Sequence, residues 1–290
     1  MSIRLTSGAN RRRKALNRLF TASLAVAMVL AMIPLALILI DVAQKGLPVM
    51  SWSFLTDLPT PPTIPGGGIA NAIVGTFTMV GIAALISVPL GVGAGVFFSE
   101  WPESKLSFIS SFLNDVLAEF PSIVIGIFVY IIIVLTTKTF SALAGAVALA
   151  IIMTPIIART TEESLKLVPT SLREGSMALG VTRARTVTGV VISTGRAGLL
   201  TGILLAIARA AGETAPLLLT ALGSYYYARS LLEPTAALPL LIYSYAISPF
   251  KQWQAEAWGA ALVLVLAMLG LNLLTRFTVG RKYAGVRAEI

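Results

Sequence analysis

The chain has 290 residues, of which 56% are hydrophobic and only 12% charged. Because soluble domains carry about 25% charged residues, this composition excludes a water-soluble globule, a disordered chain and a nucleic-acid-binding domain. The net charge of +9 is typical of a membrane protein whose cytoplasmic loops are rich in Lys and Arg. The chain has no cysteine and no histidine, which removes disulfides, thiolate ligands and the commonest general base. We therefore predict an integral membrane protein with no catalytic residues and no metal site.

Six apolar stretches are long enough to cross a bilayer, since a spanning helix needs about 20 mostly apolar residues. They cover residues 20–40, 72–98, 116–135, 142–157, 197–222 and 258–274. The first follows a basic run, as in a signal peptide. Its apolar part is long, however, and no small-residue cleavage site follows it, so we predict an uncleaved anchor helix. The second is rich in glycine, which favours close helix packing, and is interrupted by Pro89. Residues 59–68 are rich in Pro and Gly and are predicted to form an extended loop.

The basic residues predict the orientation of these six spans. With the N-terminus in the cytoplasm, 17 Lys and Arg residues fall in cytoplasmic segments and four in outer segments, as the positive-inside rule requires. The prediction is thus an all-α polytopic membrane protein with both termini cytoplasmic. Residues 1–70 would form the N-terminus, the first span and an outer loop, residues 71–276 the main transmembrane domain, and residues 277–290 a cytoplasmic tail.

The most polar stretch is the predicted cytoplasmic segment 159–196. Pro169 separates two helical pieces, and Thr170 or Ser171 with Glu174 is typical of a helix start. Leu172, Ser176 and Leu179 fall at helical spacing, and Gly180 suits a left-handed residue after the helix. Composition alone favours a solvated cytoplasmic loop over a functional helix.

The spacing of Glu174 and Gly180, with an apolar run at 190–192, resembles the EAA loop in permease subunits of ATP-binding-cassette importers. The two alanines of that motif are Gly175 and Ser176 in this chain. In that family the loop forms a coupling helix that docks on a cytoplasmic ATPase. The resemblance implies that the ATPase-coupling residues are Arg173, Glu174, Ala178, Leu179 and Gly180.

Three further stretches, at 113–130, 153–162 and 208–218, resemble the permeases of bacterial phosphate importers. The last contains Arg-x-x-Gly-Glu-Thr-Ala-Pro at 209–216 and is the most specific. The resemblance covers residues 70–276 and implies a type I importer permease core in the bacterial inner membrane. It also implies four kinds of partner: a second permease, two ATPase subunits, an extracytoplasmic phosphate-binding protein and the lipid bilayer. No Walker A sequence is present, so the chain itself is expected to need no cofactor, with ATP bound by the ATPase subunits.

Arg209 and Glu213 are charges inside the predicted fifth span, four residues apart and therefore on one helix face. Each costs about 2.5–3.5 kcal/mol at the bilayer centre, which leaves two interpretations: a structural ion pair, or an arginine lining the path of an anion. The planar guanidinium suits phosphate, and the resemblance favours a substrate path that includes Thr214. Pro121 breaks the predicted third span, where Ser122 can bond a freed carbonyl or a passing oxyanion. An ordinary helix kink is the alternative there.

Two other functions are compatible with parts of the sequence. One is a permease for a different oxyanion, such as sulfate, molybdate or a phosphonate. The other is a secondary carrier, which is expected to show an inverted repeat and coupling carboxylates near the midplane. The chain shows no such repeat, so we predict an ATP-driven phosphate permease.

Overall fold

The computed structural model describes residues 7–64 and 66–283. In these ranges every regular element is helical, apart from one isolated bridge between Leu222 and Thr235. The α-helices are α1 (Ser7–Gly46), α2 (Trp52–Thr56), α3 (Ala70–Glu100), α4 (Lys105–Glu119), α5 (Ser122–Val129), α6 (Leu135–Thr137), α7 (Ala142–Lys166), α8 (Thr170–Ala178), α9 (Arg183–Thr186), α10 (Ile192–Ala211), α11 (Ala215–Thr220), α12 (Leu238–Ala246) and α13 (Lys251–Tyr283). Two π-helical turns, Tyr130–Val134 and Val187–Val191, join α5 to α6 and α9 to α10.

Five helical segments of the described residues are long and apolar enough to cross a membrane. They are Arg12–Val49, Ala70–Glu100, Ala142–Lys166, Arg183–Ala211 and Lys251–Leu273. The pair Lys105–Glu119 and Ser122–Thr137 passes the same test as a sixth span, but its two halves are bent by 102°. The all-α polytopic fold is therefore confirmed, with five continuous candidate spans and one broken one.

The third predicted span, residues 116–135, is wrong, because these residues belong to two helices that meet at a sharp bend. The break at Pro121 is confirmed, because Phe120 and Pro121 are extended and a new helix begins at Ser122. Proline lacks an N–H and disfavours a helical residue before it, so α4 ends at Glu119. The helix before the break is a full element that reaches back to Lys105, and residues 116–135 do not form one straight helix.

The fifth predicted span is also wrong, because residues 197–222 do not form one helix. The helix α10 ends at Ala211, Gly212–Thr214 are not helical, and α11 begins at Ala215. Pro216 has no N–H to donate to the carbonyl of Gly212, and its ring would clash there. The break therefore falls between Arg209 and Pro216, inside the predicted span.

The core of the bundle is the packing of α3 against α7. A Cβ atom on Gly91 would lie 2.7 Å from Cβ of Ile157, and one on Gly95 would collide with the carbonyl of Ala158. Glycine at these two positions lets the helix backbones approach closely, as predicted. Pro89 does not interrupt α3, which continues to Glu100, so that detail of the prediction is wrong. Large side chains shared by the two helices include Met79, Leu149 and Met153, all fully buried.

The helix α3 also defines the two ends of the bundle. The loop 57–69 precedes its first residue, and α8 lies against its last residue, Glu100, through Arg173. As predicted, residues 59–68 contain no helix where the structure describes them. The helix α13 continues to Tyr283, so part of the predicted tail is helical. Residues 1–6, 65 and 284–290 lie outside the described residues.

Candidate functional site

The predicted coupling helix is present as α8. Pro169 is its N-cap and no side chain caps the helix, so the predicted capping role of Thr170 or Ser171 is wrong. A proline fixes its own φ near the helical value and needs no N–H at this position. Gly180 follows the helix with φ +80°, which confirms the left-handed residue predicted there.

Most of α8 lies at the surface, and none of its residues is buried. Glu174, Ala178 and Gly180 are exposed, and Leu179 is 85% exposed. The carboxylate of Glu174 makes no hydrogen bond or ion pair with any described residue. An acidic group and a large apolar side chain, both without intrachain partners, are features expected of a helix that docks on another protein.

Arg173 is the exception on α8, because its side chain turns towards the bundle and is only 17% exposed. Its Nη2 lies 2.9 Å from Oε1 of Glu100, the last residue of α3. Direct contact of Arg173 with an ATPase, as predicted from the family resemblance, therefore stays a prediction. Within this chain the residue ties α8 to α3.

Arg209 and Glu213 lie on the two sides of the helix break. Nε of Arg209 is 3.7 Å from Oε1 of Glu213, and the two side chains are 59% and 16% exposed. Arg209 belongs to the last turn of α10 and Glu213 follows the C-cap Gly212, so the predicted pair forms, although not within one helix. The guanidinium of Arg209 makes no hydrogen bond to any described residue, which leaves its planar fork of donors available to an anion.

Ser122 and Thr214 each begin a helical segment next to a break. Ser122 is the first residue of α5, and Thr214 is the N-cap of α11. The helices α5 and α11 pack closely at Gly126 and Pro216, because a Cβ atom on Gly126 would lie only 2.7 Å from Cα of Pro216. Gly126 is one turn after Ser122, and Pro216 is two residues after Thr214. Both residues are partly exposed, and their hydroxyl groups make no hydrogen bond within the described chain. Their role in a substrate path stays a prediction.

The structure contains one network of ion pairs that the sequence analysis does not predict. Nη1 of Arg159 on α7 lies 3.9 Å from Oδ2 of Asp115 on α4 and 3.2 Å from Oε2 of Glu162. Nε of Arg159 lies 3.1 Å from Oε1 of Glu163. The pairs within α7 follow from i,i+3 and i,i+4 spacing. The contact with Asp115 joins residues far apart in the chain, and no local pattern predicts it.

The chain was compared with known families and proteins. The family model described as "Binding-protein-dependent transport system inner membrane component" matches residues 87–281. The phosphate transport system permease protein PstA of Yersinia pestis is 42% identical over 271 residues, covering 93% of this chain and 92% of that protein. The PstA protein of Haemophilus influenzae is 42% identical, covering 91% and 94% of the two chains. A probable PstA of Methanocaldococcus jannaschii is 41% identical, covering 90% and 92%.

Solved structures show the same fold at low sequence identity. A chain of the MetNI methionine ABC transporter in an inward-facing conformation aligns with a TM-score of 0.60 at 21% identity, covering 74% of this chain and 94% of that one. A chain of a bacterial ABC transporter involved in alginate import aligns with a TM-score of 0.57 at 15% identity, covering 92% and 98%. The chain therefore belongs to the family of binding-protein-dependent inner membrane transport components, and within it to the PstA permeases.

Proposed function

We propose that this chain is a permease subunit of an ATP-driven importer that moves inorganic phosphate across the bacterial inner membrane. The observation that carries the proposal is the near-full-length identity of 41–42% to permeases named for phosphate transport in three organisms. The geometry around Arg209 supports it, because an exposed guanidinium with unused donors lies in the last turn of a candidate span, next to the helix break that follows it.

The Arg209 guanidinium is suited to bind phosphate without holding it. Its planar fork can donate to two oxygens of one anion. Glu213 carries the opposite charge 3.7 Å away and competes with the anion for the same donors. In this proposal phosphate displaces the carboxylate of Glu213 from Arg209 as it passes. The ion pair between Arg209 and Glu213 then forms again and releases the phosphate. The hydroxyl groups of Ser122 and Thr214 supply further hydrogen bonds along the path.

The energy for transport comes from partner subunits. In the proposed complex a second permease completes the path, two ATPase subunits bind ATP, and an extracytoplasmic binding protein delivers phosphate. ATP binding draws the ATPase subunits together, and this movement reaches the permease through α8 and its exposed Glu174 and Leu179. The excess of basic residues supports a cytoplasmic location for α8 and both termini.

Reconstitution tests the proposal directly. The chain, purified with its ATPase and second permease, is placed in proteoliposomes with ATP on the ATPase side and the binding protein on the other. We expect uptake of radiolabelled phosphate that stops without ATP. Unlabelled sulfate or molybdate in excess should leave it unchanged. Competition by either oxyanion would indicate a different substrate, and ATP-independent uptake driven by an ion gradient would indicate a secondary carrier.

A further inference from the structure

Four segments of the chain meet around one buried carboxylate at the α8 end of the bundle. Glu100 closes α3 and is 6% exposed. Arg173 of α8 donates to its Oε1 from Nε at 3.2 Å and from Nη2 at 2.9 Å. Both bonds end on the same carboxylate oxygen, and each is charge-assisted and therefore stronger than a bond between neutral groups.

The same arginine also holds the end of α7. Its Nη2 donates to the carbonyl of Leu165 at 2.9 Å, and its Nη1 donates to the carbonyl of Val168. These carbonyls lie at and after the last turn of α7, where a helix leaves its carbonyls without intrahelical donors. One side chain of α8 is therefore bonded to both of the helices that form the core of the bundle.

Arg183 adds the fourth segment. It donates from Nη2 to the backbone carbonyl of Glu100, and its guanidinium carbon lies 4.7 Å from the centre of the Trp101 ring. Arg183 is the first residue of α9, which leads through a π-helical turn into α10. Glu100 is thus bonded through its side chain to α8 and through its backbone to the start of the span that ends at Ala211.

The rest of α8 is weakly attached to the chain. None of its residues is buried, and its one other side-chain hydrogen bond to a described residue joins Ser176 to Thr186 at 2.9 Å. Glu174 is exposed, and Leu179, the C-cap of α8, is 85% exposed. Apart from the chain links at its two ends, the side-chain hydrogen bonds that join α8 to α3 and α7 among the described residues are those of Arg173.

We propose that Glu100 and Arg173 form a latch that transmits movement of the coupling helix α8 into the spans α3 and α7. Arg183 positions the carboxylate by holding its backbone. Glu100 is a positioning residue, because it acts through Arg173 and meets neither ATP nor the transported anion. The inference rests on the proposed function, since it assumes that α8 receives force from an ATPase.

The test measures how many phosphate ions are imported for each ATP hydrolysed by the reconstituted complex. We expect Glu100→Gln to lower this ratio about fivefold or more, the lower end of typical coupling between distant sites. ATP hydrolysis should continue, because α8 still presents Glu174 and Leu179. The matched control is Glu103→Gln, which neutralises an exposed carboxylate three residues away that has no ion pair among the described residues. Its ratio should equal that of the unchanged protein.

The ratio separates a latch from a merely structural contact. If the pair only stabilises the fold, Glu100→Gln lowers the amount of assembled complex, but the complex that remains keeps the normal ratio, and the proposal is overturned. If Glu100→Gln does not assemble at all, Arg173→Lys decides, because an ammonium keeps the charge but cannot bond the carboxylate and two carbonyls as a planar fork does. A lowered ratio in that variant supports the latch, whereas a normal ratio or a second failure to assemble contradicts it. If the unchanged complex imports no phosphate, the proposed function fails, and the ratio is then measured with the anion that the complex does import.

Discussion

The guanidinium of Arg209 has five N–H donors, and its one close partner among the described residues is Glu213. The distance of 3.7 Å between Nε and Oε1 is too long for a hydrogen bond. The pair is therefore held by charge alone, and the side chain of Arg209 remains more than half exposed. The pair adds no side-chain hydrogen bond to the fold, and it leaves the donors of Arg209 free for another anion.

Arg209→Gln should therefore abolish phosphate uptake while the complex still assembles. A hydrogen bond to a charged group contributes about 1.5–3 kcal/mol, so the loss of even one should lower the rate at least about tenfold. Arg209→Lys should be impaired as well, because an ammonium is a point charge without the paired fork. Uptake and assembled complex are measured on the same preparations.

The double variant Arg209→Gln with Glu213→Gln is the control for a structural role. If the two residues only balance each other's charge, removing both restores assembly and uptake together. A double variant that assembles and does not import phosphate agrees with a substrate path. Normal import by the double variant would rule that path out.

At the scale of the helices, local sequence predicted the existence of spans better than their breaks. Each long apolar run contains helix, because in a bilayer the backbone N–H and C=O groups of such a run must form their hydrogen bonds within the chain. The sequence predicts the break at Pro121 but not the one before Pro216. The spacing of four residues predicts the contact between Arg209 and Glu213. The contact of Arg173 with Glu100 joins residues 73 positions apart, and no periodicity encodes a contact between helices that the fold brings together.

The close packing of α3 on α7 predicts that two glycines of α3, Gly93 and Gly95, differ in how well they tolerate substitution by alanine. Gly95 faces Ala158 and Thr161, where a Cβ has no room, whereas a Cβ on Gly93 would meet nothing within 4 Å. Gly95→Ala should destabilise the chain by about 1–3 kcal/mol through overpacking. Gly93→Ala should be neutral or stabilising by up to about 1 kcal/mol, because alanine is the better helix former. Thermal unfolding of the purified chain in detergent measures both, and equal effects of the two changes would contradict the close packing.

At the scale of the whole molecule, α3 separates two surfaces with different expected partners. Its 31 residues extend about 46 Å at 1.5 Å per residue, which exceeds the roughly 30 Å hydrocarbon core of a bilayer. The loop 57–69 lies at its first residue, and α8 is bonded to its last residue through Glu100 and Arg173. If α3 crosses the membrane, these two surfaces face opposite compartments. The binding protein and the ATPase would then meet the chain at opposite ends of one continuous helix.

The cysteine-free chain allows this arrangement to be tested with single labels. Thr63 in the loop and Ser171 on α8 are both exposed, so a cysteine at either position should react with a thiol reagent that reaches it. We expect Thr63→Cys to be labelled by an impermeant reagent added to intact cells, once it has access to the periplasmic face. Ser171→Cys should be labelled only after the membrane is opened, because the positive-inside rule predicts a cytoplasmic α8. Labelling of both positions from outside would mean that α3 does not cross the bilayer. The reverse pattern would place α8 outside, where no ATPase could reach Glu174 or Leu179.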